Sequence, residues 1–224
     1  LYPMILKIYI LVKNVIIYGL SFKILNKDEL YSSGIVFDCA SESIINDVSI
    51  FGASKSSIKV SSSYKINITN SSISDMKDFS QDMGIGIHLS QSHYTFISNC
   101  FINQVSHGIL LDNGNSHSNI FYNKIIDSRV EGAIALQGKF NYSNNINNNK
   151  IYESQIGIIV GGGNNTNYND GPQNKIISNF ISDCNIGIEL RNETKDIIVE
   201  ENKFASILRS DVVLTNLDAS YILQ

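Results

Sequence analysis

A six-residue unit, apolar–x–x–Asn–x–apolar, returns five times from residue 96 onward. The copies are Phe96–Asn99–Phe101, Ile120–Asn123–Ile125, Ile146–Asn149–Ile151, Ile176–Asn179–Ile181 and Val199–Asn202–Phe204. Three weaker copies precede them, Ile17 to Phe22, Ile45 to Ile50 and Ile68 to Ile73, with Leu20, Val48 and Ser71 in the Asn slot. The leading apolar residues stand at 17, 45, 68, 96, 120, 146, 176 and 199, a mean spacing of 26. Self-similarity at a fixed period of this length marks a repeat architecture. Upstream of most copies lies a Gly followed by alternating apolar residues: Gly34 to Phe37, Gly86 to Leu89, Gly108 to Leu111, Gly157 to Val160 and Gly187 to Leu190, with Ala133 to Leu136 in the same slot. Each period therefore holds three short strands, with no helical periodicity and too little chain for a helical crossover.

Strands this short cannot bury an apolar face alone. Stacked coil on coil at about 4.8 Å, they place each Ile over its counterpart and share one core. Composition agrees: the 224 residues include 37 Ile, 30 Ser and 27 Asn against 2 Pro and no Trp. Ile favours strands through its stiff branched side chain, while Asn and Ser favour frequent turns. The recurrent Asn is placed at a tight bend, where its amide donates to one neighbouring coil and accepts from the other. Asn99, Asn123, Asn149, Asn179 and Asn202 are read as such a ladder, a structural role and not a ligand-binding one.

The repeat resembles that of right-handed parallel β-helix proteins of the pectate-lyase-like superfamily. Within it, the likeness is to the carbohydrate-binding and sugar-hydrolase repeat of periplasmic copper-maturation (NosD-type) proteins. The segment Lys13 to Phe22, KNVIIYGLSF, resembles the early-coil signature of pectate lyases. The resemblance implies an all-β solenoid of about eight coils with three short strands each, forming one unit over residues 1–224. The superfamily spans lyases, hydrolases, epimerases, tailspikes and adhesins, so the likeness implies a fold and not an activity. Two segments interrupt the period, Ser74 to Gly84 and Gly161 to Gln173; in the catalytic families loops of this kind flank the substrate groove.

The patterns that mark those catalytic families do not occur. There is no Trp-x-Asp-His or Arg-x-Pro-x-x-Arg of the lyases, and no Asn-Thr-Asp, Asp-Asp or Gly-His-Gly of the polygalacturonases. Aligning the Gly-Ile strands yields two outward rows: Val36, His88, Leu110, Ala135, Ile159, Glu189, and Asp38, Ser90, Asp112, Gln137, Gly161, Arg191. His88 falls beside Asp112, with His107 and Glu131 at nearby strand starts. These four are the candidate acid/base residues, since imidazole and carboxylate side by side suit proton transfer. Asp38, His88, Asp112, Glu189 and Arg191 are the candidate ligand-binding set. His93 and His117 each stand three residues before a repeat and are expected to stack in adjacent coils, as turn residues. Two histidines without a third ligand in register make no metal site, and Cys39, Cys100 and Cys184 lack ligand spacing. No metal and no cofactor is expected.

A net charge of −4 offers no basic surface for nucleic acid. Lys7, Lys13 and Lys23 break the apolar N-terminal stretch below the length of a membrane span. The stretch Ile5 to Ile17 is strand-like, and Val212 to Leu214 with Tyr221 to Leu223 begin another coil. Contacts with a neighbouring domain or subunit are therefore expected at both ends. The leading functional expectation is an extracellular or surface structural or carbohydrate-binding module, part of a fibre, adhesin or tailspike-like assembly. The alternative is a polysaccharide lyase or glycoside hydrolase.

Overall fold

Among the described residues of the computed structural model every strand pair is parallel, and the strands sort into three sheets of nine, eight and eight. The structure describes residues 13–23, 33–76, 83–162, 173–191, 194, 196–215 and 221–223. The chain visits the first, second and third sheets in turn, then repeats one coil higher, for about eight coils. Among the described residues there is no helix, and so none long and apolar enough to cross a membrane. The loop interiors 77–82 and 163–172, and residues 5–12 of the strand-like N-terminal stretch, lie outside the described residues.

Alternation within each short strand turns one apolar side chain inward per coil, and the parallel register stacks it on its counterpart. Ile68, Ile97, Ile120, Ile146 and Ile176 follow one another in the first sheet. Ile73, Ile102, Ile125, Ile151 and Ile181 do so in the second. All ten are wholly buried. Burying such a side chain contributes about 1.5–3 kcal/mol, a gain each coil repeats.

The first and second sheets meet at a two-residue bend. Its first residue adopts left-handed backbone geometry, as at Asp47, Asn70, Tyr122, Asn148 and Ser178 (φ 52–56). Its second turns inward. Asn123 Oδ1 accepts from the coil before it, where the backbone N of Cys100 donates at 3.0 Å. Asn123 in turn donates its backbone N and its Nδ2 to Asn149 Oδ1, both at 3.0 Å. Asn149 donates likewise to Asn179, and Asn179 to Asn202, at 2.9–3.0 Å. Asn99 lies outside this row. It is exposed at the left-handed position (φ 53), and the buried slot belongs to Cys100. The repeat there runs Ile97–Cys100–Ile102, one residue later than the Asn spacing suggests, because Phe96 points outward and Ile97 inward.

Two third-sheet strands have no Gly-Ile signature: Ser57 occupies the Gly slot in Ser56–Ser61 of the second coil, and Asp211 does so in Ser210–Leu214 of the eighth. The usual Gly reflects close approach. A Cβ on Gly108 would stand 2.4 Å from the Ala133 carbonyl oxygen and 2.7 Å from Ile125. At the C-terminal end, Val212–Leu214 pair with Ile188–Leu190 and close the eighth coil, while Tyr221–Leu223 pair with Ile197–Val199 and begin the next.

Candidate functional site

The outer face of the third sheet gathers most of the candidate residues. Parallel pairing aligns Val36, Lys59, His88, Leu110, Ala135, Ile159 and Glu189 in one outward row. The row beside it runs Asp38, Ser61, Ser90, Asp112 and Gln137. Arg191 follows Leu190 at the same edge, two coils beyond Gln137. Lys59 and Ser61 are additions that the repeat pattern does not reveal, since their strand lacks the leading Gly.

Two histidine–carboxylate pairs form here, and they are separate. His88 Nε2 lies 3.7 Å from Asp112 Oδ2, an ion-pair distance too long for a hydrogen bond. Both ring nitrogens of His88 are buried and have no hydrogen-bond partner. Asp112 is held by Asn113, whose Nδ2 donates to Oδ1 at 2.6 Å. The second pair is tighter: His107 Nε2 sits 3.4 Å from Glu131 Oε2, and the ring is wholly buried. His107 and Leu110 are three residues apart on one strand, so the pairs stand about 10 Å from each other along the sheet.

Glu131 joins them. Its Oε2 also accepts a hydrogen bond from Gln137 Nε2, and Gln137 is the register partner of Asp112. The outward side chain between Glu131 and Gln137 on the strand is the small Ala135, which leaves the carboxylate room to cross the face. The hydrogen bond from His107 holds the Glu131 carboxyl below the usual carboxylate range; burial opposes this, and Gln137 and the charge of Arg191 add to it. Arg191 donates from Nη2 to Glu189 Oε2 at 2.8 Å, and Glu189 is buried. Burial, the largest single influence, works against the Arg191 charge, but the hydrogen bond and charge of Glu189 together with the charge of Glu131 outweigh it and raise its pKa.

Leu110, Ala135, Ile159, Ile85 and Ile156 make a small apolar cluster on this outer side, distinct from the interior core. It separates the polar pairs from the Glu189–Arg191 pair along the first outward row. Asp38 stands at the early end and accepts from Ser61 Oγ at 2.7 Å. A carboxylate held ionised beside a buried imidazole, with amide and hydroxyl groups along the same edge, can accept and donate hydrogen bonds to a polyhydroxylated chain. Among the described residues no group of three or more His, Cys, Asp or Glu is disposed to hold a metal ion.

The other two histidines belong elsewhere. His93 and His117 do not stack on each other, because the one-residue shift at Ile97 puts them in different rows. His93 pairs with Ser116, Nδ1 to Oγ at 2.7 Å, whereas His117 stacks on Tyr94 with ring centroids 4.7 Å apart. Both lie on the turn that leads into the first sheet.

A three-sheet parallel solenoid with a polar outer face defines the class of β-helix proteins. The right-handed β-helix region model matches residues 9–171, and the chain belongs to that family. No curated protein matches the sequence. Among solved structures the fold is similar to a mutant tailspike protein of E. coli bacteriophage HK620 in complex with a pentasaccharide (TM-score 0.73, 12% identity, 94% of this chain and 43% of the tailspike). It is also similar to polygalacturonase from Erwinia carotovora (TM-score 0.66, 8% identity, 85% of this chain and 60% of the enzyme). A third likeness is to alginate lyase from Paenibacillus (TM-score 0.59, 9% identity, 84% of this chain and 76% of the enzyme). At these identities the likeness is one of fold. The chain spans 43% of the tailspike and 60% of the polygalacturonase.

Proposed function

We propose that this chain is a carbohydrate-binding β-helix module of a surface or extracellular structure, and that the glycan lies along the outer edge of the third sheet. One observation carries the reading: the imidazole of His88 has both nitrogens buried without a partner, and it stands directly beside the row Asp38, Ser61, Ser90, Asp112 and Gln137. A buried polar group left unpaired costs about 1–3 kcal/mol, and a turn of the partly exposed His88 ring brings its nitrogens to sugar hydroxyls spaced along the row. The pentasaccharide carried by the tailspike of the same fold supports the choice of ligand class.

A second reading, polysaccharide lyase or hydrolase, is favoured by the His107–Glu131 pair. Glu131 is held ionised and so is equipped to act as a base rather than as an acid. The two readings separate on a panel of neutral and uronate-rich polysaccharides, with retardation in affinity gels, ultraviolet absorbance and reducing ends read together. Expected is retardation by at least one polysaccharide, weakened about tenfold or more in Asp112→Ala and in His88→Ala, with no product released. Product that vanishes in Glu131→Gln would establish the enzymatic reading instead. Absence of retardation across the panel would refute the binding role.

A further inference from the structure

A second face of the solenoid has a chemistry of its own. The outer side of the second sheet carries one straight row of side chains, one per coil. It begins with Ser21, Ser49 and Ser72. It continues through Phe101, Lys124, Lys150, Phe180 and Lys203. The three lysines are exposed, and among the described residues none of them forms an ion pair.

This arrangement is unfavourable for the free protein. Lys124 and Lys150 are direct register partners on adjacent strands, and like charges directly opposite one another in a sheet destabilise it. The chain has 21 Asp and Glu against 17 Lys and Arg, so carboxylates are not scarce, yet among the described residues none is placed between these lysines. The acids nearest to them in the chain, Asp127, Glu153 and Glu201, stand at the ends of these strands in left-handed geometry; Asp127 is occupied by Arg129 at 2.6 Å and Glu201 by the Ser178 hydroxyl at 2.8 Å. Aromatic rings interleave with the charges: Lys124 Nζ lies 5.8 Å from the Phe101 centroid and 5.7 Å from that of Tyr152. Over the serine half of the row lies an open groove of about 480 Å³, bordered by Lys23 and Phe51.

We infer that this row is a binding track for a linear acidic polysaccharide, separate from the third-sheet site. The coils repeat at about 4.8 Å, a step comparable with the length of one pyranose ring, so successive sugar units meet successive side chains. Carboxylates of the polymer neutralise Lys124, Lys150 and Lys203 and relieve their mutual repulsion. The apolar faces of the sugar rings rest on Phe101, Phe180 and Tyr152, and hydroxyl groups bond to the serines in the groove. Nucleic acid fits less well, because the protein as a whole is negatively charged and the track is one lysine wide.

The test uses polygalacturonate and alginate oligomers as probes, with neutral dextran and a single-stranded DNA of equal charge as comparisons. Binding is read by calorimetry at low and at high salt. Expected is binding of at least one polyuronate that weakens with salt, falls about tenfold or more in the Lys124→Ala/Lys150→Ala double variant, and persists in Lys124→Arg/Lys150→Arg. Dextran is not expected to bind, and Asp112→Ala on the third sheet should leave this binding intact. The free double variant should melt at the same temperature as the parent or higher, since a like-charged pair is gone. Three outcomes would each overturn the track: no polyuronate binding, undiminished binding by the double alanine variant, or DNA bound as tightly as polyuronate. If the double variant binds normally while Asp112→Ala does not, the second-sheet track fails and the third-sheet site stands.

Discussion

Cys100 shows how one residue type serves a slot made for another. It occupies the ladder position between Ser71 and Asn123, taking a bond from the Ser71 backbone while its own backbone N reaches Asn123. Burial pushes the thiols of Cys100 and Cys184 up to about 11, whereas Cys39 is exposed. A raised thiol pKa means that the fold favours the neutral form. That share of stability is intact below the ordinary thiol range and is lost as pH climbs toward about 11. With a thiolate-specific reagent at mild alkaline pH, Cys39 alone is expected to react in the native protein, and all three thiols in denaturant without reductant. Equal native reactivity at all three, or fewer than three thiols in denaturant, would contradict the coil register. The sequence pattern reads Asn123, Asn149, Asn179 and Asn202 into one ladder because a buried amide there has few substitutes. It misreads Asn99, because Phe96 satisfies the apolar slot as well as Ile97 does, and a small Cys, Ser or Val fills the bend without announcing it.

Each bend element is an unbroken row whose chemistry changes along its length, from Val48 and Ser71 through Cys100 to four asparagines. Asn149 makes the most of its place: it donates to Asn179 and to the Ile120 carbonyl, and accepts twice from Asn123. Asn149→Leu is expected to cost about 1–3 kcal/mol, because amides on both sides lose a partner, and to leave glycan affinity unchanged. Cys100→Asn is expected to raise the melting temperature, since its amide would reach the Ile68 carbonyl that Cys100 Sγ meets at only 3.8 Å. Denaturant titrations of both variants check this; loss of glycan binding in Asn149→Leu at unchanged stability would make the ladder part of a site. Two further, shorter ladders support the opposite edge: in one row Asn115 donates to Asn141 at 3.0 Å, and in a second Ser118 donates to Asn144 and Asn144 to Asn174, both at 3.0 Å. They escape notice in the sequence because their residues lie in the irregular turn between the third and first sheets. The candidate pairs are legible for the reverse reason: the Gly-Ile strands align by eye, so His88 falls next to Asp112. Lys59 is not legible, because Ser57 stands where the guiding Gly belongs. The reach of Glu131 to Gln137 depends on side-chain direction over Ala135, which no spacing records.

At the scale of the molecule, one coil step carries every long row, so each face becomes a comb of side chains at a single spacing. The third-sheet face is acidic and imidazole-rich with its charges largely engaged, while the second-sheet face sets unpaired lysines among aromatic rings. The interior is uniform by contrast, and isoleucine dominates it because one branched shape stacked on itself fills every layer. The most direct test of the third-sheet site follows from its four histidines, the only ones in the chain. Two, His88 and His107, lie on that face, and two, His93 and His117, lie on the turn into the first sheet. Imidazole resonances of the histidine-labelled protein are followed while an oligosaccharide is titrated whose binding is weakened by Asp112→Ala and not by the Lys124→Ala/Lys150→Ala double variant. The expected result is saturable shifts of His88 and His107 at a common dissociation constant, with His93 and His117 unmoved. Shifts confined to His93 and His117, or none at all under saturating ligand, would contradict a glycan site on the third sheet.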